Sequence, residues 1–441
     1  MGRTLVVAPW GQPALWREAI YDLDGRKMES CTSLGLFIEH FGGENVDVAI
    51  LALDSLADEF IGQKSDSRCY TCYEKFRDYI KKSAAARSYI ELRRGLTGFV
   101  KQFVKCLELP CDPFVIICPA VGRPGGKWEF SGAPSDFEAV ALYELGKRYI
   151  EKAYTRIVLD LSHGVNFMPA VTLKLAGKLA SLILAAHEGL QDGVELQVYN
   201  SDPRPSLDEA PRLNINLVSK DRVKTILAPH QLSSRLLDTK ERYLFTERGR
   251  LNVEYLAMVK LPVSAIYYPL PLALCETVPQ ASSSPGSLQL LDKAFTLWCE
   301  SVRIGDKLVK RLIKLDPDAV YALLLTEAVR MRLRGVGRPP TLEDIKKLAE
   351  LYNVVNESFY YLIMDEISRV ERSLSYFTNT GWVPLSKLFS EDGERGMNPD
   401  KRIMIAHAGL QMELVEVNIH TKQLRYRIDV KDTLDKAGLL L

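Results

Sequence analysis

This sequence has no uninterrupted apolar run approaching the roughly 18 residues that a membrane-spanning helix requires. Its opening, Met1-Gly2-Arg3-Thr4-Leu5-Val6-Val7, lacks the apolar core of a secretory signal and reads as a short strand ending at Pro9. Both absences lead to the expectation of a soluble, cytoplasmic protein with no membrane partner. Excess charge is missing too: Lys and Arg number 57 against 56 Asp and Glu, for a net charge of +1. Such a chain has no overall field to gather a polyanion, so any nucleic acid must be held by local clusters of Lys and Arg. Cysteine pairs at metal-binding intervals are scarce. Of eight cysteines only Cys69 and Cys72 are separated by two residues, with no second pair at a zinc-like interval. Ordinary reduced cysteines and no metal are expected. Finally, no Gly-x-Gly-x-x-Gly follows the first strand and no acidic residue follows at the spacing of a nicotinamide ribose, which argues against a dehydrogenase.

What is present is enough apolar sequence for more than one core, 47% of 441 residues. The first two hundred residues alternate short β-branched runs with longer helical patterns. Thr4–Ala8, Val46–Leu53, Phe114–Cys118, Ile157–Leu161 and Leu196–Tyr199 read as strands buried on both faces. Tyr70–Leu107, Ser135–Ala153 and Phe167–His187 read as helices between them. That alternation predicts an α/β Rossmann-like parallel sheet with helices on both faces and a ligand at the strand C-terminal ends. This front domain is placed at residues 1–218. Residues 219–287 form a small basic insert and linker. Arg235, Arg242 and Arg248 with Thr246-Glu247-Arg248-Gly249-Arg250 are compatible with a winged helix-turn-helix or with a solvated connector. Glu276–Ser287, rich in Ser and Pro, is the clearest linker. Residues 288–441 read as a helical domain, with helices over Leu288–Leu315, Ala319–Arg334, Thr341–Ala349, Tyr352–Leu374 and Asp400–Leu410. Val415–Asp429 alternates like a hairpin. Arg303, Lys307, Lys310, Arg311 and Lys314 on one of these helices, and Arg330, Arg332, Arg334 and Arg338 on another, could line an RNA path or form solvated faces.

In the front domain, Asp160-Leu161-Ser162-His163-Gly164-Val165-Asn166-Phe167-Met168-Pro169 carries a buried strand into a turn and then a helix with proline in its first turn. Such a turn aims backbone N–H groups and a positive helix end at one place, which suits a phosphate. If the strand of Thr4–Ala8 lies beside that of Ile157–Leu161, then Pro9, Trp10, Gly11 and Trp16 share the crevice, and either tryptophan could stack on a base. Val121 and Gly122 reach the same edge from the third strand. In the rear domain, Asn398 is a good helix N-cap and Pro399 a good first residue, so a helix is expected to carry Arg402 and His407. Five residues apart on one helix, the two side chains diverge by about 140°, so two such helices meeting across a dimer would make a better phosphate site than one.

Val7-Ala8-Pro9-Trp10-Gly11, Asp160-Leu161-Ser162-His163-Gly164-Val165-Asn166 and Tyr199-Asn200-Ser201-Asp202-Pro203 resemble the signature segments of CARF domains in the ribonucleases of type III CRISPR systems. Asp400-Lys401-Arg402-x-x-Ile405-Ala406-His407-Ala408-Gly409-Leu410 resembles the Arg-x4-His motif of their HEPN domains. The resemblance, to the archaeal branch, implies a homodimer activated by cyclic oligoadenylate, usually cyclic tetra-adenylate, that cuts single-stranded RNA without metal. It implies catalysis by Arg402 and His407, and ligand contacts from Pro9, Trp10, Gly11, Trp16, Val121, Gly122, Ser162, His163, Gly164, Asn166, Phe167 and Met168. One departure is Ile403, where many members carry Asn. The rival reading is a CARF-type transcriptional regulator that uses the basic insert on DNA. A third is a front domain that degrades its own cyclic ligand.

Overall fold

The computed structural model describes residues 2–59, 67–190, 192–204, 211–278, 286–377, 381–389 and 396–441. Most of the expected linker around residues 279–285 therefore lies outside the described residues. The front half runs β1 (Arg3–Trp10), β2 (Ala19–Leu23), β3 (Arg26–Ser30), α1 (Leu34–Phe41), β4 (Val46–Leu53), α2 (Arg68–Ala84), α3 (Tyr89–Cys106), β5 (Phe114–Cys118), β6 (Glu129–Phe130), α4 (Pro134–Tyr149), β7 (Tyr154–Asp160), α5 (Met168–Ala186), β8 (Val194–Ser201) and β9 (Arg212–Val223). Eight strands form one sheet in the order β3-β2-β9-β8-β7-β1-β4-β5. Five consecutive strands, β8-β7-β1-β4-β5, running out to one edge, are parallel. They are the five read from the sequence as doubly buried, because strands covered on both faces must be apolar throughout, and Arg212–Leu217, also read as a strand, lies in β9.

From β1 the chain steps outward to β4 and β5, then returns to β7 and β8 on the other side. Right-handed crossovers put the helices of the two excursions on opposite faces. The order thus reverses between β1 and β7, and a crevice opens beyond the carboxyl ends of these neighbouring strands. The helix α5 is long and apolar enough to cross a membrane, but 67% of it is buried, as befits a core helix.

The rear half contains β10 (Leu237–Thr239), α6 (Phe245–Tyr267), α7 (Pro271–Thr277), α8 (Ser287–Ser301), β11 (Arg303–Gly305), β12 (Leu308–Lys310), β13 (Ile313–Leu315), α9 (Pro317–Arg332), α10 (Leu342–Asn353), α11 (Glu357–Leu374), β14 (Trp382–Pro384), α12 (Leu385–Phe389), α13 (Lys401–Ala406), β15 (Val415–Asn418), β16 (Leu424–Tyr426) and α14 (Val430–Lys436). The fold is thus α/β followed by a mainly helical half. Three expectations need correction. The helix expected over Leu288–Leu315 stops at Ser301, and Arg303, Lys307 and Lys310 lie on a hairpin. Asp306 and Lys307 have φ of 48° and 60°, which a two-residue hairpin turn requires. The basic insert forms no hairpin wing among the described residues. Thr246–Arg250 lies in α6, whose Leu251, Tyr255, Val259 and Val263 are buried, while β10 pairs with β13. Arg334 and Arg338 lie beyond the end of α9.

The cysteines also depart from expectation. Cys69 and Cys72 sit one turn apart on α2, but Cys69 bonds Cys31 and Cys72 bonds Cys106, 38 and 34 residues away. Cys111, Cys118, Cys275 and Cys299 are free. Each bridge limits the unfolded chain and is worth on the order of 3–4 kcal/mol. The two halves are joined by β6 pairing in parallel with β12, and by α4 and α5 packing on α9. Lys178 on α5 donates to Glu138 on α4 and to Asp318 on α9, each at 2.7 Å.

Candidate functional site

The crevice between β1 and β7 is a cleft of about 450 Å³, a size typical of small-ligand sites. Its walls are the turns that follow β1, β4 and β7, with Pro124 and Gly125 closing one side. Six of the expected residues line it: Gly11, Trp16, Ser162, His163, Gly164 and Asn166. The first and last of these turns are locked together, since the Gly11 amide donates to the His163 carbonyl at 2.8 Å. Only glycine fits at position 11, because a Cβ there would meet Val165 Cγ1 at 2.6 Å. Asn166 adopts φ of 53° to turn the chain into α5, whose first turn receives no side-chain cap. The Met168 amide is instead satisfied by the Val165 carbonyl at 3.1 Å and Pro169 has no N–H, so the cleft ends at Asn166, short of the helix. The turn is anchored from below by Asp160, 1% exposed, which accepts Ser33 Oγ at 2.6 Å and the Ser162 amide at 3.2 Å. Burial raises the pKa of that carboxyl.

The other expected ligand contacts do not lie on the cleft wall. Trp10 is 1% exposed and packs edge-on against Trp16 and Phe103, so it is a core residue. Pro9 and Met168 are buried. Gly122 bridges Phe130, with Val121 beside it, and Phe167 packs on Phe137. Residues overlooked in the sequence are Gln12, Leu15, Leu53, Ser55, Leu56, Asp58, Pro124, Gly125 and Val165. The signal for the β4 group was its place just after a buried strand, at the carboxyl edge where α/β sheets bind ligands.

Trp16 and His163 form the aromatic floor, with ring centroids 4.3 Å apart and tilted by 37°. Tyr21 Oη lies 3.3 Å from His163 Nε2. Burial lowers the His163 pKa from 6.5 to about 4, so the ring is neutral near pH 7 and adds no charge to the cleft. The folded state then holds a proton on this ring more weakly than the unfolded state does. The stability His163 contributes is complete above about pH 6.5 and is lost as pH falls through that value to about 4. His163→Gln is expected to flatten this limb of stability against pH, measured by urea unfolding between pH 7 and 4. An unchanged slope would remove His163 as its source.

In the rear half, α13 begins at Lys401, later than expected. Asp400 is its N-cap, accepting the Arg402 and Ile403 amides at 2.9 and 3.0 Å, while Asn398 and Pro399 precede the helix. A carboxylate that satisfies two orphan amides sets the start. The helix ends after six residues, and Ala408 and Gly409 take φ of 49° and 78° to close it. His407 is the C-cap. Arg402 is exposed, and its guanidinium has no hydrogen bond or ion pair among the described residues. His407 is half-buried, its Nδ1 lying 2.8 Å from Oε1 of Glu366 on α11. Ile403 is 42% exposed. One helix thus carries a permanent cation and ends on an imidazole, residue types suited to holding a phosphodiester and moving a proton. Sequence reasoning missed Glu366, which stands 41 residues from His407 with no spacing to flag it. Among the described residues no three His, Cys, Asp or Glu side chains converge as metal ligands.

Comparison with known proteins matches both halves of the chain to the same kind of molecule. Residues 5–203 match the family model described as the CARF domain of the CRISPR system endoribonuclease Csx1. Residues 356–429 match the HEPN domain of the same endoribonuclease. The CRISPR system endoribonuclease Csx1 of Methanocaldococcus jannaschii is 26% identical over 466 aligned residues, covering 97% of this chain and 89% of that protein.

Proposed function

Because the chain belongs to the CARF/HEPN ribonuclease family of CRISPR systems, we propose that it is a cytoplasmic endoribonuclease of CRISPR defence, switched on by a cyclic oligoadenylate in the front cleft. Cyclic tetra-adenylate is the first activator to test. The observation that carries the reading is an exposed Arg402 and a half-buried His407 on one short helix inside the HEPN-matching segment. RNA carries its own nucleophile in the 2′-hydroxyl, so the protein has to place the phosphate and move protons. Arg402 binds the phosphate oxygens and stabilises the charge that builds up on phosphorus. His407 exchanges the proton. Products then carry a 2′,3′-cyclic phosphate and a 5′-hydroxyl, and no step needs a metal.

The cleft suits its ligand in kind. It has an aromatic floor and walls built from the turns after β1, β4 and β7, two of them held close by Gly11. Both sites gain from two-fold symmetry, since a ring of repeated adenylates matches a site built twice and two α13 helices can surround one phosphate. A homodimer is therefore part of the proposal. Ligand binding shifts the pair of rear halves toward the cutting geometry only if it favours that state. The DNA-binding alternative loses ground on the insert. Arg248 donates to the Thr239 carbonyl and lies over the Phe245 ring, so this side chain serves the fold, while Arg235 and Arg242 are exposed.

The test is cleavage of end-labelled single-stranded RNA in EDTA, with and without cyclic tetra-adenylate. Cutting is expected only with the activator, and the 3′ ends are expected to resist phosphatase that removes simple monoesters. Absence of cutting with every cyclic oligoadenylate would overturn the proposal.

A further inference from the structure

The Glu366 carboxylate is the least expected feature of the rear site. It is 8% exposed, on the buried face of α11 with Ile363, Ile367 and Val370. A carboxylate in such a place is costly unless charged or polar partners meet it. Two do. Arg369 Nη1 lies 3.9 Å from Oε2, its own guanidinium stacked over the Phe389 ring at 4.4 Å. His407 Nδ1 lies 2.8 Å from Oε1.

We infer that Glu366 is a positioning residue for His407, fixing the ring as the tautomer that carries its proton on Nδ1 and leaves the lone pair on Nε2. The argument is one of donor count. An ionised carboxylate only accepts hydrogen bonds, and a neutral imidazole has a single N–H. A 2.8 Å contact therefore demands that the N–H be at Nδ1, which leaves the Nε2 lone pair free. The ring is also held against rotation by α11, a rigid element distant in sequence. This inference rests on Arg402 and His407 being the cutting pair. In that chemistry the 2′ proton passes to Nε2, the O2′–P bond forms, the P–O5′ bond breaks, and the 5′ oxygen leaves with a proton from water. The wrong tautomer would present an N–H where a lone pair is needed.

The experiment has two readouts. The first is ¹⁵N NMR of histidine-labelled full-length protein at a pH where the imidazole is neutral, with the His407 resonances assigned by His407→Gln. The second is single-turnover and steady-state cleavage of the same labelled RNA. Wild type is expected to show the Nδ1–H tautomer, and Glu366→Ala to shift His407 toward Nε2–H. Glu366→Ala is expected to lower kcat by about ten- to a hundredfold, as loss of such outer partners does elsewhere, with KM little changed. Glu366→Gln keeps an oxygen acceptor and should retain the Nδ1–H tautomer and most of the rate. An Nε2–H tautomer in wild type overturns the inference, as does full activity in a folded Glu366→Ala. The tautomer is read without RNA, so the result stands apart from failure of the cutting assignment, which would appear as wild-type rates in Arg402→Ala and His407→Ala.

Discussion

Arg402→Ala is expected to slow RNA cleavage by about a hundred- to a thousandfold, the loss found when a single donor to developing charge is removed. The side chain has no structural work to lose: it is exposed, and its guanidinium makes no contact among the described residues. Folding and melting temperature should therefore be unchanged, since surface changes of this type stay within about 0.5 kcal/mol. Arg402→Lys should recover only a small part of the rate, because an ammonium cannot replace the planar fork that grips two phosphate oxygens. His407→Ala is expected to lose about a hundred- to ten-thousandfold, the range for a general acid or base. The double variant should be little worse than the poorer single one, as groups acting as a unit are not additive. Binding of cyclic tetra-adenylate, followed by calorimetry, should be unaltered in all of them, because the cleft draws none of its wall from α13. Cutting by Arg402→Ala within threefold of wild type would dismiss the assignment.

Breaking the buried pair of Asp54 and Arg311 is expected to cost about 3–5 kcal/mol of folding stability, the usual penalty for stranding one buried charge. Their side chains are 0% and 2% exposed. Asp54 also accepts Tyr89 Oη and the Ala120 amide, each at 2.8 Å. Arg311 also donates to the carbonyls of Ala120 and Ser131. Burial alone would depress the basicity of Arg311, but the Asp54 charge overturns this and raises it. Asp54 opens the turn that brings Ser55, Leu56 and Asp58 to the ligand cleft, and Arg311 follows the β11–β12 hairpin of the rear half. The pair therefore ties the cleft wall to the other half of the chain. Urea unfolding of Arg311→Met should show the full loss, and adding Asp54→Leu should restore part of it by removing the stranded carboxylate. Restoration stays partial because Asp54→Leu also takes away the acceptor of Tyr89 Oη and the Ala120 amide. A loss below about 1 kcal/mol in Arg311→Met would show that water reaches the pair.

Legibility in the sequence followed burial. The five parallel strands and the helices between them were readable because complete burial on both faces permits only apolar residues, and helices must show a repeating stripe. The outer β2–β3 hairpin escaped notice, as its exposed positions carry charges and its pattern is weak. Arg303, Lys307 and Lys310 imitated a helical face, because a hairpin can also place a cation every three or four residues. The two-residue turn at Asp306-Lys307, entered from Gly305, was the signal that should have outweighed it. Trp10 and Trp16 looked interchangeable in sequence, yet one is core and the other floors the cleft.

The sequence by itself determined the alternation of a parallel sheet, the turn between β7 and α5, and the local setting of Arg402 and His407. Each depends on interactions within a few residues or on a periodic demand for burial. Only the tertiary structure decided which cysteines bond, which residues of β4 and the segment after β5 wall the cleft, and which carboxylate meets His407. The bonded cysteines and the Glu366–His407 pair lie 34 to 41 residues apart, and Asp54 and Arg311 257 apart. No local propensity encodes such a pairing, because it arises where separately formed elements pack and leave one polar group facing another.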